Sequence, residues 1–501
     1  MARRSRVAER SPGATAPAIP SPPKGGRLRP LLDREADDVV DAAFSILERI
    51  GMAGCPQDLA DMAQAQGASL RDDGRLCFSR AMVERAIARA AKTVNLPGYD
   101  EARGITIGGG RVHIGTGGAA VQMLDAETST FRDSTLSDLH GLMHLVGSVD
   151  NVHYGIRPVI ARDMPTSLAL DINTAFACVK ACPKPIGVSF DHPDHVGEII
   201  RLFELALGGG LKFSARPFCF AVIVHAVSPL RFSPEGMLCM LNAIHGGMPV
   251  QICTAAQAGA TSPVTLAGAL AQGLAEALAG LVMVGVIKPG FPCILAFMPF
   301  ISDLRTGAMS GGGGEAAIAN AAAAQLLLGL GVPSTVSAGM TDAKTADAQA
   351  GYEKGYSVAL AAQAGADMIN LSVGMLGSIM AASPEALVID DDMCGAILRS
   401  VRGVEVMDGG IDLDRIEAVV TGDGHYLGEA QTLAMMKTEY VYPRLGDRQS
   451  ISDWREAGSK TIWDRARERV RALYEVRPSH LPLDRENAIR AAFDIHLPEG
   501  G

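Results

Sequence analysis

The stretch PVQICTAAQAGATSPVTLAGALAQGLAEALAGLVMVGVIKPGFPCILAF, residues 249–297, decides the fold. It begins and ends with short apolar runs, PVQICT and PCILAF, which have the length and composition of buried strands. An Ala- and Leu-rich segment long enough for a helix lies between them. A strand, a helix and a second strand at this spacing predict a βαβ unit with parallel strands.

The same pattern recurs along the chain. Similar apolar runs begin at Tyr154, Pro185, Phe218, Pro333 and Met368, so that successive runs start 31 to 43 residues apart. Seven such strands, separated by helical segments, favour a (β/α)8 TIM barrel, an α/β fold. The eighth strand is not located by this pattern. An open, doubly wound parallel sheet is the alternative.

The regions that flank the repeats predict additions to the barrel core, which is assigned to residues 151–400. Residues 1–28 carry Arg, Pro, Gly and Ser without an apolar run, which predicts a disordered tail. Residues 29–150 predict a helical region with a small β insert, where alternation breaks at glycines. Residues 401–501 predict a C-terminal extension that packs on the barrel, including one long amphipathic helix over 451–475.

Composition excludes several classes of function. A net charge of −10 argues against a nucleic-acid partner, and no apolar segment is long enough to predict a membrane span. Nine separate cysteines without a secretory signal predict reduced thiols in the cytoplasm. His192 and His195 form a pair without an evident third ligand, so no metal is predicted. Apolar Ala/Leu helices on the outside of a barrel predict a homo-oligomer.

Functional side chains of a parallel barrel lie on the loops that follow the carboxyl ends of the strands. This rule selects Arg162, Asp163, Asp191, His192, His225, Ser228, Gln257, Ser262, Phe300, Asp303, Arg305, Asp342, Lys344, Asp347, Ser372 and Met375. The aspartates of this set could equally cap the following helices. His225 could equally be a hydrogen-bonded imidazole of the core.

Two loops stand out from this set. The segment GMTDAKTADAQAGYEKGYS, residues 339–357, gathers polar side chains directly after a strand, which predicts either a site or a solvated helix face. Four consecutive glycines, 311–314, precede an Ala-rich helix. They predict close approach of a phosphate, a bulky cofactor or a partner protein, or else a flexible linker.

Four motifs in order resemble the trimethylamine methyltransferase family, in its branch without pyrrolysine that includes glycine betaine methyltransferase-like proteins. These motifs are VHIGTGGAAVQMLDAETSTFRDSTLSDL, SPVTLAGALAQGLAEALAGLV, GMTDAKTADAQAGYEK and GDGHYLGEAQTL, and the resemblance runs from about Leu31 to Leu483. It implies a barrel that docks a corrinoid protein and transfers a methyl group from a methylated amine to its Co(I) corrinoid (cobalamin). Because only the twenty standard residues occur, a quaternary amine such as a betaine is the expected donor.

Position and residue type then assign roles for this reaction. An N-methyl cation is recognised by carboxylates and aromatic faces, and a betaine carboxylate by Arg or Lys. The expected catalytic residues are Asp342, Lys344 and Glu353. The expected substrate-binding residues are Phe297, Phe300, Asp303, Arg305, Gln349 and His225, and the expected corrinoid-binding residues are Gly311, Gly312, Gly313 and Gly314.

Two other functions fit the same residues. A barrel lyase or isomerase could use Lys344 as a base or Schiff-base amine, which requires a buried lysine with a depressed pKa. A barrel that only binds small amines, without catalysis, is the third hypothesis.

Overall fold

A computed structural model describes residues 22–406, 410–422, 424–476 and 478–499. Within these residues the main sheet has eight parallel strands. They are β1 (His113–Ile114), β2 (Gly155–Ile156), β3 (Ile186–Val188), β4 (Cys219–Val224), β5 (Val250–Thr254), β6 (Cys293–Phe297), β7 (Ser334–Ser337) and β8 (Met368–Asn370). Strand β1 pairs with β8, and a bridge between Gly115 and Tyr154 joins the β1 edge to the β2 edge. The sheet therefore closes into a barrel.

One long helix follows each of these strands. The helices are α1 (Leu136–Ser148), α2 (Ser167–Ala181), α3 (His195–Ala206), α4 (Pro234–His245), α5 (Leu266–Ile287), α6 (Gly314–Leu330), α7 (Ala348–Ala364) and α8 (Pro384–Arg402). The side chains of Thr135, Thr166, Ser233 and Ser383 accept backbone amides at four of the helix starts. The alternation of strand and helix confirms the (β/α)8 barrel that the sequence predicts.

All seven strands expected from the apolar runs are present, and the eighth is β1. It lies inside the segment interpreted as a β insert, where glycines surround two strand residues. Gly115 is required here, because a Cβ at this position would lie 2.1 Å from the Tyr154 ring. Packing of that ring is a tertiary contact, which strand periodicity does not reveal.

The barrel interior is filled by side chains and is closed at the amino-terminal end of the strands. Tyr154, Phe220, Ile294 and Met368 form a buried cluster with the hairpin Val94–Leu96/Ile105–Ile107, which covers this end. Polar interior side chains pair with each other: the Tyr154 hydroxyl donates to Asn370 (2.7 Å), and the Gln251 amide donates to Thr335 (2.8 Å). The opposite, carboxyl-terminal end of the barrel is called the mouth below.

Three N-terminal helices, Asp33–Arg49, Gln57–Gln64 and Arg80–Arg89, and the hairpin Ser69–Leu70/Leu76–Cys77 precede the barrel, and the helices pack against α5. Helix α5 has the length and hydropathy of a membrane span, but 89% of its apolar window is buried inside the protein. It is therefore covered by the chain itself.

Residues 22–28, which the sequence assigns to the tail, hydrogen-bond to the amino-terminal side of the barrel. The Gly25 amide donates to Gly110 (2.9 Å), and the Gly26 amide donates to Gln363 (2.7 Å). Residues 1–21 of the predicted tail lie outside the described residues.

The C-terminal extension contains the helices Leu413–Thr421, Ala430–Met435, Ile451–Glu456, Ile462–Glu475 and Leu483–Ala492. Ile462–Glu475 packs against α8 and α1, and Leu483–Ala492 packs against α3. The single helix predicted over 451–475 was wrong. Gly458 and Ser459 adopt φ of 94° and 55°, a left-handed conformation that ends the first of two helices.

Short strands on the loops form small sheets around the mouth. Their strands are Gln257–Ala258, Phe300–Ser302 and Met309–Ser310 in one sheet, Gln122–Leu124, Phe131–Asp133, Met375–Leu376 and Ala381–Ala382 in a second, and the hairpin Ala226–Val227/Arg231–Phe232. The loops after β4, β5, β6 and β8 are thereby held in defined positions.

Candidate active site

The mouth is where the barrel interior meets solvent. Phe220 and Val222 of β4 contribute to the interior cluster, and Val224 continues the same face of this strand. Val224 is 56% exposed, so the interior opens at this point. Side chains on the loops around this opening are the ones able to reach a ligand.

Asp342, on the loop after β7, joins three loops of the mouth. Its carboxylate accepts hydrogen bonds from the Ser310 hydroxyl (3.0 Å), the Gly311 amide (2.8 Å) and the Gly312 amide (3.3 Å). It also accepts the hydroxyl of Ser378, on the loop after β8. Burial raises the pKa of Asp342, but these hydrogen bonds lower it by more, so the pKa lies below its usual value.

Glu353, in the second turn of α7, accepts hydrogen bonds that fix the loop carrying Asp342. Its carboxylate accepts the Thr341 hydroxyl (2.5 Å), the Asp342 amide (2.9 Å) and the Gln349 side-chain amide (2.9 Å). Glu353 is 5% exposed. The structure thus brings Asp342, Gln349 and Glu353 together, as the sequence predicts, and among the described residues every hydrogen-bond donor to the Asp342 and Glu353 carboxylates is a neutral hydroxyl or amide.

The Gly311–Gly314 loop belongs to this network. The amides of Gly311 and Gly312 donate to Asp342, and the carbonyl of Gly312 accepts the Tyr356 hydroxyl. A Cβ on Gly312 would lie 2.2 Å from the Glu353 carboxylate carbon. Gly312 therefore makes room for the Glu353 carboxylate, and the amides of Gly311 and Gly312 do not form a free cradle for a cofactor.

Lys344 lies apart from this network. Its side chain is exposed, and its ammonium donates to the backbone carbonyl of Asp342 (2.6 Å). A Schiff-base or general-base lysine requires burial that depresses its pKa. The position of Lys344 does not provide that burial.

Asp303 and Arg305 pair with each other on the loop after β6. Arg305 donates two side-chain hydrogen bonds to Asp303 (2.8 and 3.0 Å), which hold the pKa of that carboxyl at about 2. The Arg305 side chain is 88% exposed. The pair borders a cleft of about 440 Å³ that Ile301 and Glu315 also line. Phe300, half-buried, pairs in register with Gln257 in the adjacent small sheet.

Phe297 and His225 face away from the barrel interior, towards α5. A Cβ at Gly273 of α5 would lie 2.4 Å from the Phe297 ring. The His225 ring contacts the Glu276 carbonyl of α5 (2.9 Å) and is fully buried. The structure therefore places both residues in the layer between sheet and helix, where a substrate at the mouth does not contact them.

A second charged group, not selected by the sequence rule, lies on the β2–β3 side of the mouth. The Asp171 carboxylate of α2 accepts the Asp191 amide (2.8 Å) and lies 2.7 Å from Nδ1 of His195. Its other oxygen is buried and has no hydrogen-bond partner among the described residues. Burial raises the pKa of Asp171, and the hydrogen bonds and the nearby Arg157 only partly offset this effect.

Arg157, which directly follows β2, is the cation of this group. Within the described residues it forms no hydrogen bond or ion pair. Burial lowers the pKa of Arg157, and the nearby Asp171 and Asp191 partly offset this effect. The sequence rule selected Arg162 and Asp163 instead, further along the loop. The signal was an arginine in the middle of the apolar run YGIRPVI, directly after the two residues that form β2.

Comparison with known proteins assigns the family. The family model described as "Trimethylamine methyltransferase (MTTB)" matches residues 1–496. The chain belongs to the trimethylamine methyltransferase family. The family assignment made from the four sequence motifs is thereby confirmed.

Relatives of this family member carry two different substrate names. It is 28% identical to a glycine betaine methyltransferase of Desulfitobacterium hafniense, over 86% of this chain and 90% of that protein. It is 31% identical to the trimethylamine methyltransferase MttB of Methanosarcina thermophila, over 72% of this chain and 75% of that protein. The barrel is also similar to the monomethylamine methyltransferase MtmB of Methanosarcina barkeri, with a TM-score of 0.47, 12% identity, and coverage of 90% of this chain and 95% of MtmB.

Proposed function

We propose that this protein transfers a methyl group from a small quaternary or tertiary methylated amine, of the betaine type, to the Co(I) corrinoid of a partner protein in the cytoplasm. Family membership supports methyl transfer from a methylated amine. The observation that carries the choice of a cationic donor is the pair Asp342 and Glu353, whose hydrogen-bond donors are all neutral.

These carboxylates give the mouth a negative potential. Asp342 is ionised at neutral pH because its pKa is lowered, and no ion pair of the described residues neutralises it. A cation near this carboxylate is attracted by Coulomb interaction that water only partly screens. The pair therefore acts in substrate attraction and in positioning of the loops after β6, β7 and β8.

The proposed methyl transfer requires no strong acid or base group from the protein. When bound, the corrinoid supplies the nucleophile, a Co(I) centre that accepts the methyl group. The C–N bond of a quaternary ammonium breaks with its electron pair left on nitrogen, so that the product leaves as a neutral tertiary amine without a proton. The chain's own residues then have to orient the donor and exclude water.

A betaine also needs a cation for its carboxylate. Arg305 is paired with Asp303, and Lys344 is exposed beside a backbone carbonyl, so neither is well placed for this role. Arg157 has no such partner and lies at the carboxyl end of β2. Arg157 is therefore the proposed carboxylate anchor, and Phe300 the aromatic candidate at the mouth.

The surface around the mouth suits contact with a bulky cofactor or with the protein that carries it. Exposed apolar side chains lie on four of its loops: Val224, Val227, Val264, Leu304 and Met380. Exposed apolar side chains clustered around one opening are typical of an interaction site. They, rather than the Gly311–Gly314 amides, are the residues that would contact the corrinoid or its carrier.

A donor screen tests this proposal. Purified protein, cob(I)alamin and a panel of betaines and methylamines are mixed, and methylation is followed by the change in the cobalamin absorption spectrum. Methylation with at least one cationic donor is the expected result. Tight binding of a donor without methylation, by free cobalamin or by a corrinoid protein, would instead identify a small-amine binding protein.

A further inference from the structure

Residues 404–437, called the arm, leave the barrel and return to the same place. The arm follows α8, whose last residue is Arg402. Arg402 donates to the carbonyl of Thr438 (2.6 Å) and to the Glu439 carboxylate (3.0 Å), directly after the arm. Arg399 also contacts Glu439. Both ends of the arm are therefore fixed at the C-terminal end of α8.

The arm exposes an unusual number of large apolar side chains. Ten of them are between 36% and 86% exposed: Val404, Val406, Ile411, Leu413, Ile416, Val420, Tyr426, Leu427, Leu433 and Met436. Leu413, Ile416 and Val420 share one face of the helix Leu413–Thr421. In the described parts of the arm, the hydrogen bonds of residues 410–434 stay within the arm itself, and Met435 accepts hydrogen bonds from Thr438 and Glu439 directly after it.

This surface is large enough for a stable interface. Ten side chains that each expose on the order of 100 Å² amount to about 1,000 Å², more than the roughly 800 Å² per partner of a standard protein interface. Exposed apolar surface of this total size is costly in water. A permanently bound subunit removes the free-energy cost of this exposure, whereas a carrier protein that binds only once per turnover does not.

Both ends of the arm lie on the side of the barrel opposite to the mouth. Barrel helices run antiparallel to the strands, so the end of α8 lies at the amino-terminal end of the barrel. The hydrogen bonds of Arg399 and Arg402 keep both ends of the arm there. A protein that brings a cofactor to the mouth would not cover this surface.

A groove on the same end of the barrel has complementary chemistry. It encloses about 280 Å³ between the helix Arg80–Arg89 and the C-terminal part of α5, and its apolar walls include Met82, Leu281 and Phe291. Arg85 and Arg89, one helical turn apart, line it as well. Both are exposed, and neither forms an ion pair with a described residue.

The charge of the arm matches this groove. In the sequence the arm carries seven acidic residues against two basic ones, Arg415 and Lys437. The acidic residues are Glu405, Asp408, Asp412, Asp414, Glu417, Asp423 and Glu429. An acidic, apolar segment and an apolar groove with two arginines attract each other and exclude like-charged partners. From area, position and charge, we propose that the arm of each chain packs in the Arg85/Arg89 groove of a second copy.

In a two-fold dimer this contact forms twice, because each copy contributes one arm and one groove. The contact is independent of the proposed methyl transfer. The oligomer contact predicted from the sequence was assigned to apolar barrel helices in general, whereas helices of the same chain pack against α5 and only its C-terminal part lines the groove.

Sedimentation velocity and light scattering of the full chain test this contact. Wild type is expected to be a dimer or a multiple of it. The arm variant Leu413→Asp/Val420→Asp and the groove variant Arg85→Glu/Arg89→Glu should each dissociate at least tenfold more readily. The matched control is Val476→Asp, which places the same charge at an exposed apolar position outside the arm. It should leave the oligomer unchanged, and circular dichroism verifies that each variant is folded.

Mixing the two defective variants separates arm-in-groove packing from arm-on-arm packing. A mixed dimer retains one intact arm and one intact groove that can meet, so mixing should restore part of the association that neither variant shows alone. A monomeric wild type, or an oligomer that the groove variant leaves intact, would overturn the proposal. So would an arm variant that stays dimeric but loses methyl transfer to a corrinoid protein.

Discussion

Carboxylates lie on both sides of the barrel mouth, and the structure stabilises them in different ways. On the β6–β8 side, Asp342 and Glu353 accept hydrogen bonds from hydroxyls and amides and keep a negative potential. On the β2–β3 side, Asp171 lies beside His195 and near Arg157, and one of its oxygens has no partner among the described residues. In the proposed reaction the first side attracts the cationic methyl donor, and Arg157 on the second side binds the carboxylate of the donor.

The largest expected effect is the loss of the loop network on the β6–β8 side. Replacing Glu353 by Ala leaves the Thr341 hydroxyl, the Asp342 amide and the Gln349 amide without their acceptor. Each lost buried partner costs about 1 kcal/mol, so the free energy of unfolding should fall by roughly 3 kcal/mol. Urea unfolding measures this change.

Glu84→Ala, at an exposed position of an N-terminal helix, is the matched control and should change the unfolding free energy by less than about 0.5 kcal/mol. Equal stability of the two variants would show that Glu353 does not hold the loops.

Arg157→Met tests the cationic side of the comparison. Hydrogen bonds to charged groups contribute about 1.5 to 3 kcal/mol, so the KM for a donor with a carboxylate should rise at least tenfold. The KM for a methylamine without a carboxylate should stay within about twofold. Steady-state methylation of cob(I)alamin with both donors measures the ratio.

Arg162→Met, on the same loop but paired with Asp133 at the surface, serves as the control. If Arg157→Met raised both KM values equally, Arg157 would be a structural cation of the β2–β3 side.

Asp342→Asn tests the negative side with a change of charge and little change of shape. Loss of one charge near a solvated cation costs about 1 kcal/mol, so the KM for a quaternary ammonium donor should rise roughly fivefold. The effect should weaken as salt is added, because salt screens the interaction. Asp194→Asn, at an exposed position after β3, should leave the KM unchanged. A KM that is insensitive to Asp342→Asn at low salt would contradict the electrostatic role.

The smallest expected effect is a dependence of stability on pH from Asp171. Burial raises the pKa of Asp171 in the native protein, so the native state holds this proton more tightly than the unfolded chain. The stabilising contribution is present below the unfolded pKa and is lost as pH rises through the native pKa. Wild type should therefore lose stability relative to Asp171→Asn as the pH rises from acidic values towards 7. Parallel Tm curves for the two proteins would refute this expectation.

The sequence was informative where periodicity repeats. Seven apolar runs of strand length with helices between them predict a barrel, and the carboxyl-end rule then places Asp342 and the loop glycines at the mouth. Gln349 and Glu353 followed from helical spacing on α7. These predictions depend only on the periodicity of residues along the chain and on the rule that functional loops follow the carboxyl ends of barrel strands.

Other features depend on which surfaces meet after folding. Strand β1 has only two residues, and its identity follows from Gly115 under the Tyr154 ring. Phe297 ends β6 and His225 directly follows β4, as expected. The direction of their side chains, towards α5, is set by the closure of the barrel. Asp171 comes from within α2 and meets His195 only in the folded chain.

By itself, the sequence determined the fold class and the family and predicted the end of the barrel that carries the candidate site, because these follow from repeating patterns and ordered motifs. Tertiary structure alone decided which polar groups at that end are free. Hydrogen bonds between distant loops engage the Gly311 and Gly312 amides, whereas Arg157 has no close hydrogen-bond partner among the described residues. A hydrogen-bonding group is satisfied by whatever lies within about 3 Å of it, and that neighbour is set by the folded chain rather than by the adjacent residues.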